Sequence, residues 1–391
     1  MSNAGAVTQH NNNKHIRQRV LLFKVIAALL PLLLFVVFEL LLRLFNYGED
    51  LSVFIPDKSL PQCMVLNPHL SGRYFNNKAN ATVGNSEPFA RTKPANTLRF
   101  FVLGESTTIG FPYMHNGSFH RWLKYRLLRS YPNKNFEIIN LSLTAVNSFT
   151  VYDIAKALPA YQPDAILVYC GHNEYYGAMG VASTSSLGSN PAIAPIIISL
   201  KQLRVVQFVF NLFSPSDKTV DTSKNLMERM VAERRIPFGS KTYKKGIENF
   251  TANMDAVCKL FSDRHIPVFL STLVSNEHDI RPFIDNPQQD AGRLFKKGQA
   301  ESKTGNIAAA KIAFRQAKEY DELRFRAPED VNNAIIRLAA KYASVKLVDT
   351  RKLFEANSPQ QIIGNNLMLE HVHPNLAGYA LISEAFYNSL Y

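Results

Sequence analysis

Cysteine is scarce: Cys63, Cys170 and Cys258 stand far apart in a chain of 391 residues. That spacing excludes a disulfide framework and a cysteine-based metal site, since both need clustered or regularly paired thiols. Cys170 closes an apolar run and reads as a buried thiol. Basic residues are in excess, giving a formal charge of +13, but no basic stripe is interleaved with aromatics. Nucleic acid is therefore not an expected partner. Lys14, Arg17, Arg19, Lys24 and Arg43 against Glu39 place a net +4 before residue 49. The remaining charge is scattered, as on a solvated basic surface, with attraction to anionic lipid or an acidic glycan as the other reading. Glu370, His371 and His373 could ligate a metal, but no further ligand of suitable spacing accompanies them, and no metal is expected.

What the chain does have is apolar residues, 46% of the total, enough for a large core. One run is exceptional. Lys24 to Arg43 supplies the roughly 20 residues that a helix needs to cross a bilayer, with a basic side chain at each end to snorkel. Glu39 interrupts it, four residues before Arg43, where the two can pair on one helix face. Lys14, Arg17 and Arg19 precede the run and Glu49 and Asp50 follow it, which places the N-terminus in the cytoplasm and the rest outside. The rival readings are a cleaved signal peptide, although no small-residue cleavage site follows, and a buried soluble helix. The expected organisation is a disordered cytoplasmic tail over 1–19, a transmembrane signal anchor over 20–46, an irregular Pro- and Asn-rich juxtamembrane segment over 47–97, and one large domain over 98–391. Inner-membrane, single-pass, with that domain periplasmic or otherwise extracytoplasmic, is the expected localisation.

Within 98–391 strand and helix signals alternate. Strands are expected at Leu98–Leu103, Phe136–Leu141, Ala165–Cys170, Pro267–Leu273 and Val345–Val348. Helices are expected at Phe119–Leu128, Phe149–Leu158, Ile247–Phe261, Val331–Tyr342 and Ala377–Leu390. Such alternation implies a parallel sheet covered on both faces by helices, with ligands beyond the carboxyl ends of the strands. Two insertions interrupt it. Over 178–245, Ile196, Leu200, Leu203, Val206, Phe210 and Phe213 recur at helical spacing and read as a core helix, or else as a lid or second membrane contact. Over 285–328, Gly298, Ala310, Phe314 and Ala317 resemble a single tetratricopeptide helix pair, and the hairpin 291–318 is a candidate surface for a protein partner.

Four pieces sit at the strand ends. Gly104-Glu105-Ser106 turns out of a buried strand and sets a serine at the top of the sheet, where a following helix N-terminus favours negative charge. Asn140 to Ser148 includes Ala145, small enough for its N–H to approach a substrate oxygen. In Gly171-His172-Asn173-Glu174 the Asn173 amide donates without titrating; His172 and Glu174 read as loop hydrogen-bonders. In Glu370-His371-Val372-His373 a spacing of three lets the acid face the second histidine. A nucleophile, oxyanion donors, a base and an orienting acid are what acyl transfer through serine requires.

In order and spacing these pieces resemble the SGNH, or GDSL-type, esterase and acylhydrolase superfamily. The resemblance implies a flavodoxin-like three-layer α/β/α sandwich and no cofactor. It assigns Ser106 as nucleophile, His373 as base and Glu370 as its partner, with Ser106, Ala145 and Asn173 as the oxyanion hole. Three departures stand out: Glu105 replaces the usual Asp before the nucleophile, where it is expected to affect only the turn, Ala145 replaces a Gly, and Glu370 replaces the triad Asp. The anchor and the segment Leu323 to Pro328 resemble membrane-bound bacterial members. The expected function is a membrane-anchored serine esterase, acylhydrolase or acyltransferase acting on an ester-bearing glycan or lipid. The alternative is a catalytically silent envelope scaffold on the same fold.

Overall fold

A chain that alternates buried apolar runs with amphipathic stretches can close its backbone hydrogen bonds as a parallel sheet covered by helices. The computed structural model has that architecture. It describes residues 4–75, 77, 80–184, 189–213, 230–231, 235–284 and 290–390. They fall into two units, Met1–Asp50 with Leu200–Ser216, and Leu51–Ser199 with Asp217–Tyr391.

The first unit is built on helix α1 (Ala4–Leu44). Its portion Arg19–Leu44 is long and apolar enough to cross a membrane, and its side chains there are mostly exposed. The helix also runs back to Ala4, through the tail expected to be disordered. Once a helix is nucleated, each further residue adds a hydrogen bond, and no proline lies between Ala4 and Arg19 to stop it.

The second unit opens with a three-stranded antiparallel sheet, β1 (Phe54–Pro56), β2 (Cys63–Leu66) and β3 (Phe89–Ala90). The segment expected to be irregular is thus a strap on the core. Phe54, Met64, Leu66 and Phe89 belong to the main hydrophobic cluster. Buried Arg99 ties the strap down, donating to the Ala90 carbonyl at 2.7 Å and to Glu137 at 2.6 Å, and Arg73 pairs with Asp153 at 2.9 Å. Strands of two to four residues are too short to show periodicity, which is why composition alone suggests a linker.

The main sheet comprises β4 (Thr97–Gly104), β5 (Asn135–Asn140), β6 (Ala165–Tyr169), β7 (Val268–Ser271) and β8 (Val345–Val348). All pairs are parallel and the order is β5-β4-β6-β7-β8. Every residue of β6 is buried, as expected for a central strand covered on both faces. The connecting helices are α2 (Ser106–Ile109), α3 (Met114–Gly117), α4 (Phe119–Ser130), α5 (Ser148–Ala155), α6 (Ala194–Leu200), α7 (Arg204–Phe213, in the first unit), α8 (Lys241–Ser262), α9 (Ala291–Lys303), α10 (Ile307–Tyr320), α11 (Glu329–Lys341), α12 (Thr350–Ala356) and α13 (Leu376–Leu390). One layer packs α5, α8 and α11 together; the other packs α4 and α13, whose Phe119 and Phe386 rings stack at 4.9 Å. This is the three-layer α/β sandwich of the expected class.

The periodic apolar stretch around residue 200 is not one core helix. It breaks at Lys201-Gln202-Leu203 into α6 and α7, and Ile196, Leu200 and Phe210 are exposed. The expected insertion 178–245 also includes 185–188, 214–229 and 232–234, which lie outside the described residues. The 291–318 hairpin is formed by α9 and α10, and Gly298 is required there because a Cβ would meet the Phe314 ring at 2.8 Å.

Candidate active site

The strand order places the first main strand, β4, between β5 and β6, so the turn after β4 opens at the switch point of the sheet. Gly104 ends β4 against β6. A Cβ there would meet Thr108 Oγ1 at 2.1 Å and the Tyr169 carbonyl at 2.2 Å, so only glycine allows the chain to turn so close to its neighbour. Thr108 Oγ1 then donates to the Tyr169 carbonyl at 2.6 Å, which fixes α2 on the sheet. Ser106 is the first residue of α2, where backbone N–H groups have no intrahelical acceptor.

Ser106 and His373 are 267 residues apart in sequence and meet in space. Ser106 Oγ and His373 Nε2 are 2.8 Å apart. The other ring nitrogen, Nδ1, hydrogen-bonds to Glu370 Oε1. An ionised carboxylate only accepts, so Nδ1 carries the proton and Nε2 is left to accept from the serine hydroxyl. The Thr107 hydroxyl donates to the Val372 carbonyl at 3.3 Å, joining α2 directly to the histidine loop.

Glu370 has a second imidazole. His371 Nδ1 lies 2.8 Å from Oε2, and the backbone N–H groups of His371 and His373 donate to the carboxylate at 2.6 and 2.8 Å. Burial alone would raise this carboxyl, but the bonds from His371 and His373 outweigh it and hold the group well below the usual carboxylate range. Glu370, His371 and His373 are therefore joined as acid and imidazole donors.

The oxyanion candidates come off the three adjacent strands. Asn173 is 7% exposed, and its Nδ2 is buried without a hydrogen-bond partner among the described residues. Ala145 is buried with φ at +55°, in the left-handed region that favours glycine. Its carbonyl accepts from the Ala178 N–H at 2.9 Å, stitching the loop after β5 to the loop after β6.

Glu105 was expected to affect only the turn, and the structure corrects this. The side chain is buried and crosses to the loop after β6, accepting from the N–H groups of Gly171 at 3.2 Å, His172 at 3.0 Å and Asn173 at 3.2 Å, and from the Cys170 thiol. It therefore holds the Asn173 loop against the Ser106 turn. Burial pushes its carboxyl up to about 7 in spite of these donors. Gly171 in that loop has φ +140°, and a Cβ would strike Val331, Leu273 and Phe250.

His172 and Glu174 do not join the Ser106 chain. His172 Nδ1 accepts from the Ala327 N–H at 3.3 Å, and burial, with the charges of His373 and Lys318, pushes the ring down to about 3. It is a neutral link between the loop and the segment Leu323 to Pro328. In that segment Arg326 pairs with Asp321 at 3.0 Å and donates to the Asn276 and Ile280 carbonyls. Glu174 accepts from Ser148 Oγ at 2.9 Å, its carboxyl pushed up by burial. One Glu-His-His grouping with closely spaced ligand atoms occurs among the described residues, Glu87 with His115 and His120. Glu87 Oε1 is hydrogen-bonded to His120 Nε2 at 2.7 Å and lies 3.0 Å from His115 Nδ1.

Two aromatic rings beside the histidines escaped the sequence reading because nothing local marks them. Phe111 lies 4.8 Å from the His373 ring, Phe283 stacks on His371 at 4.2 Å, and both are more than 40% exposed.

Residues 102–381 match the family model described as GDSL-like lipase/acylhydrolase. The chain belongs to that family, within the SGNH/GDSL superfamily, and is a hydrolase of ester bonds. None of the curated proteins compared matches it. Similar solved structures include an acetyl xylan esterase (13% identity, 75% of this chain and 100% of that one, TM-score 0.40). Others are a GDSL-like lipase from Parabacteroides merdae (10% identity, 75% and 94%, TM-score 0.41) and a catalytic mutant of an acetylxylan esterase from Geobacillus stearothermophilus (11% identity, 75% and 94%, TM-score 0.39).

Proposed function

We propose that this hydrolase is a membrane-anchored serine esterase in which Ser106 is the nucleophile, His373 the general base and Glu370 the acid that orients and balances the imidazolium. The observation that carries the reading is the unbroken hydrogen-bonded chain Ser106–His373–Glu370. Ser106 Oγ attacks the ester carbonyl while its proton passes to His373 Nε2. The N–H groups of Ser106 and Ala145 and the Asn173 amide receive the oxyanion. His373 then protonates the leaving alkoxide, and water (or an acceptor alcohol, for acyl transfer) repeats the sequence to release the acyl group.

The substrate class is an ester-bearing envelope molecule, an O-acetylated glycan or a lipid. The exposed Phe111 and Phe283 rings support this, since an apolar face beside the reaction centre can pack either a sugar ring or an acyl chain. The basic residues Lys14, Arg17 and Arg19, which precede the apolar run within α1, support an N-terminus in the cytoplasm with the hydrolase unit outside. The hairpin of α9 and α10 remains the candidate surface for a protein partner.

A fluorophosphonate probe tests the nucleophile. Ser106→Ala should abolish labelling of the full chain, and label persisting at another residue overturns the assignment. Hydrolysis of p-nitrophenyl acetate, a long-chain p-nitrophenyl ester and an O-acetylated polysaccharide then separates the substrate classes. Turnover that survives Ser106→Ala refutes the mechanism.

A further inference from the structure

We infer that α7 is a second membrane-embedded element, packed beside α1 near the outer boundary of the bilayer. The inference rests on the reading of α1 as the membrane anchor and deepens it.

Glu39 is where the argument begins. The run Lys24–Arg43 spans about 30 Å as a helix, and Glu39 lies one turn inside Arg43, about 6 Å below that end. A carboxylate at that depth persists only with partners. Glu39 has several, among them Arg43 Nε at 2.8 Å and the backbone N–H of Val205 at 2.9 Å. Val205 is the second residue of α7, so its N–H is one of the donors that a helix N-terminus leaves unpaired. Each group satisfies the other, and the start of α7 lies at the depth of Glu39.

The rest of α7 fits the same environment. Its polar side chains turn toward the residues that follow α1. Gln207 accepts from the Glu49 N–H at 2.9 Å and donates to the Glu49 carbonyl at 3.1 Å, and Asn211 donates to the Tyr47 hydroxyl at 3.0 Å. Phe208 packs edge-on against Phe38 at 5.4 Å and Tyr47 at 5.5 Å. The outward face is apolar: Val209 is 43% exposed, Phe210 44% and Leu212 63%. Lipid accepts a helix whose outer face is apolar, whereas water does not favour that face, and Arg204 Nη1 at the start of α7 is buried, away from it. A depth of about 6 Å also matches that of interfacial helices, roughly 5–10 Å. The occupant of the exposed face is the acyl region of the bilayer, continuous with the lipid around α1.

Depth-resolved fluorescence on the full chain tests this. In a Cys63→Ser background, single variants Leu33→Cys, Leu212→Cys, Val209→Cys and Lys303→Cys carry an environment-sensitive fluorophore. They are reconstituted in vesicles of phosphatidylethanolamine and phosphatidylglycerol containing doxyl-labelled lipid. Labels at Leu33, Leu212 and Val209 should be quenched by the doxyl lipid several-fold more than the label at Lys303, and be protected from iodide. Quenching at Leu33 with iodide access at both α7 positions overturns this inference and leaves the anchor standing. A label on α7 shielded from both quenchers places protein against it and overturns the lipid assignment. Iodide access at Leu33 overturns the anchor reading and this inference with it.

Discussion

Glu105 offers the sharpest test of how the site is held together. Its carboxyl is buried and pushed up to about 7, against an ordinary value of 4.5, so the folded chain binds this proton more tightly than the unfolded chain does. Between those two values the folded state carries more protons, and linkage makes stability fall as pH rises. At about 1.4 kcal/mol for each pH unit between them, Glu105 should remove about 3 kcal/mol of stability from pH 4.5 to just above 7. Glu105→Gln has nearly the same shape and does not titrate. Its carbonyl can still accept from His172 and Asn173, while the Gly171 N–H loses its acceptor at a pH-independent cost of about 1–3 kcal/mol. The measurement is urea unfolding of the detergent-solubilised full chain between pH 5 and 8, followed by the fluorescence of Trp122, the single tryptophan. Glu174 is also buried with a raised carboxyl; burial, the largest cause, is present in both proteins, while the smaller contribution from Glu105 is lost in the variant. The stability of the parent chain minus that of Glu105→Gln should fall by about 3 kcal/mol across the range, most of it below pH 7. A difference that stays constant with pH refutes the reasoning, because the proton on Glu105 would then not distinguish the folded state.

Three further outcomes follow from the same geometry. Glu370→Gln keeps the side chain's shape but removes the charge that two imidazoles and two close backbone N–H groups face; kcat on p-nitrophenyl acetate should fall by about 10³- to 10⁴-fold, and the stability that Glu370 contributes above about pH 4.5, lost in the parent chain as pH drops below that value, should be missing from the variant at neutral pH. Asn173→Ala removes the unpaired buried donor and should lower kcat about 100- to 1000-fold with little change in KM; an unchanged kcat excludes the amide from the oxyanion site. Ala145→Gly releases a left-handed backbone strain of about 1–2 kcal/mol, offset in part by a lost methyl and by chain entropy, and should leave turnover within a few-fold of the parent, whereas Ala145→Val should be destabilised by thermal melting.

What could be read from the chain without coordinates was whatever is local or periodic. The strands that carry Ser106, Ala145 and Asn173 are continuous apolar runs with turns at their ends, and parallel sheets collect chemistry at those ends. The pairing of Glu370 with His373 follows from a spacing of three on one turn. The reach of Glu105 could not be read, because its partners lie 65 to 68 residues away and the conformation of its own turn decides where the carboxylate points. The strap of β1, β2 and β3 was hidden by the shortness of its strands, and its tie to the core comes from Arg99 on another sheet. The company that α7 keeps was hidden by a separation of 166 residues between Glu39 and Val205, and by a helical periodicity that runs unbroken in sequence across a break in the chain's path.

The departures from the family pattern share a physical feature: each adds one carbon, and at the two acids that carbon sits at a convergence of donors. At Glu370 a single carboxylate takes one imidazole on each oxygen as well as backbone N–H groups, so the acid is anchored independently of the histidine it orients. In the proposed mechanism, loss of the His373 proton therefore leaves the carboxylate held, and the imidazole would cycle between neutral and charged forms against a fixed partner. At Glu105 the longer side chain spans from the Ser106 turn to three consecutive N–H groups of the Asn173 loop, so the serine and the amide share one support. A nucleophile and an oxyanion donor on different strands must be held to within a fraction of an ångström for the transition state to benefit. A buried carboxyl between them supplies that constraint through short-range geometry alone, which is why its removal should lower kcat more than KM even though Glu105 itself touches no reacting atom.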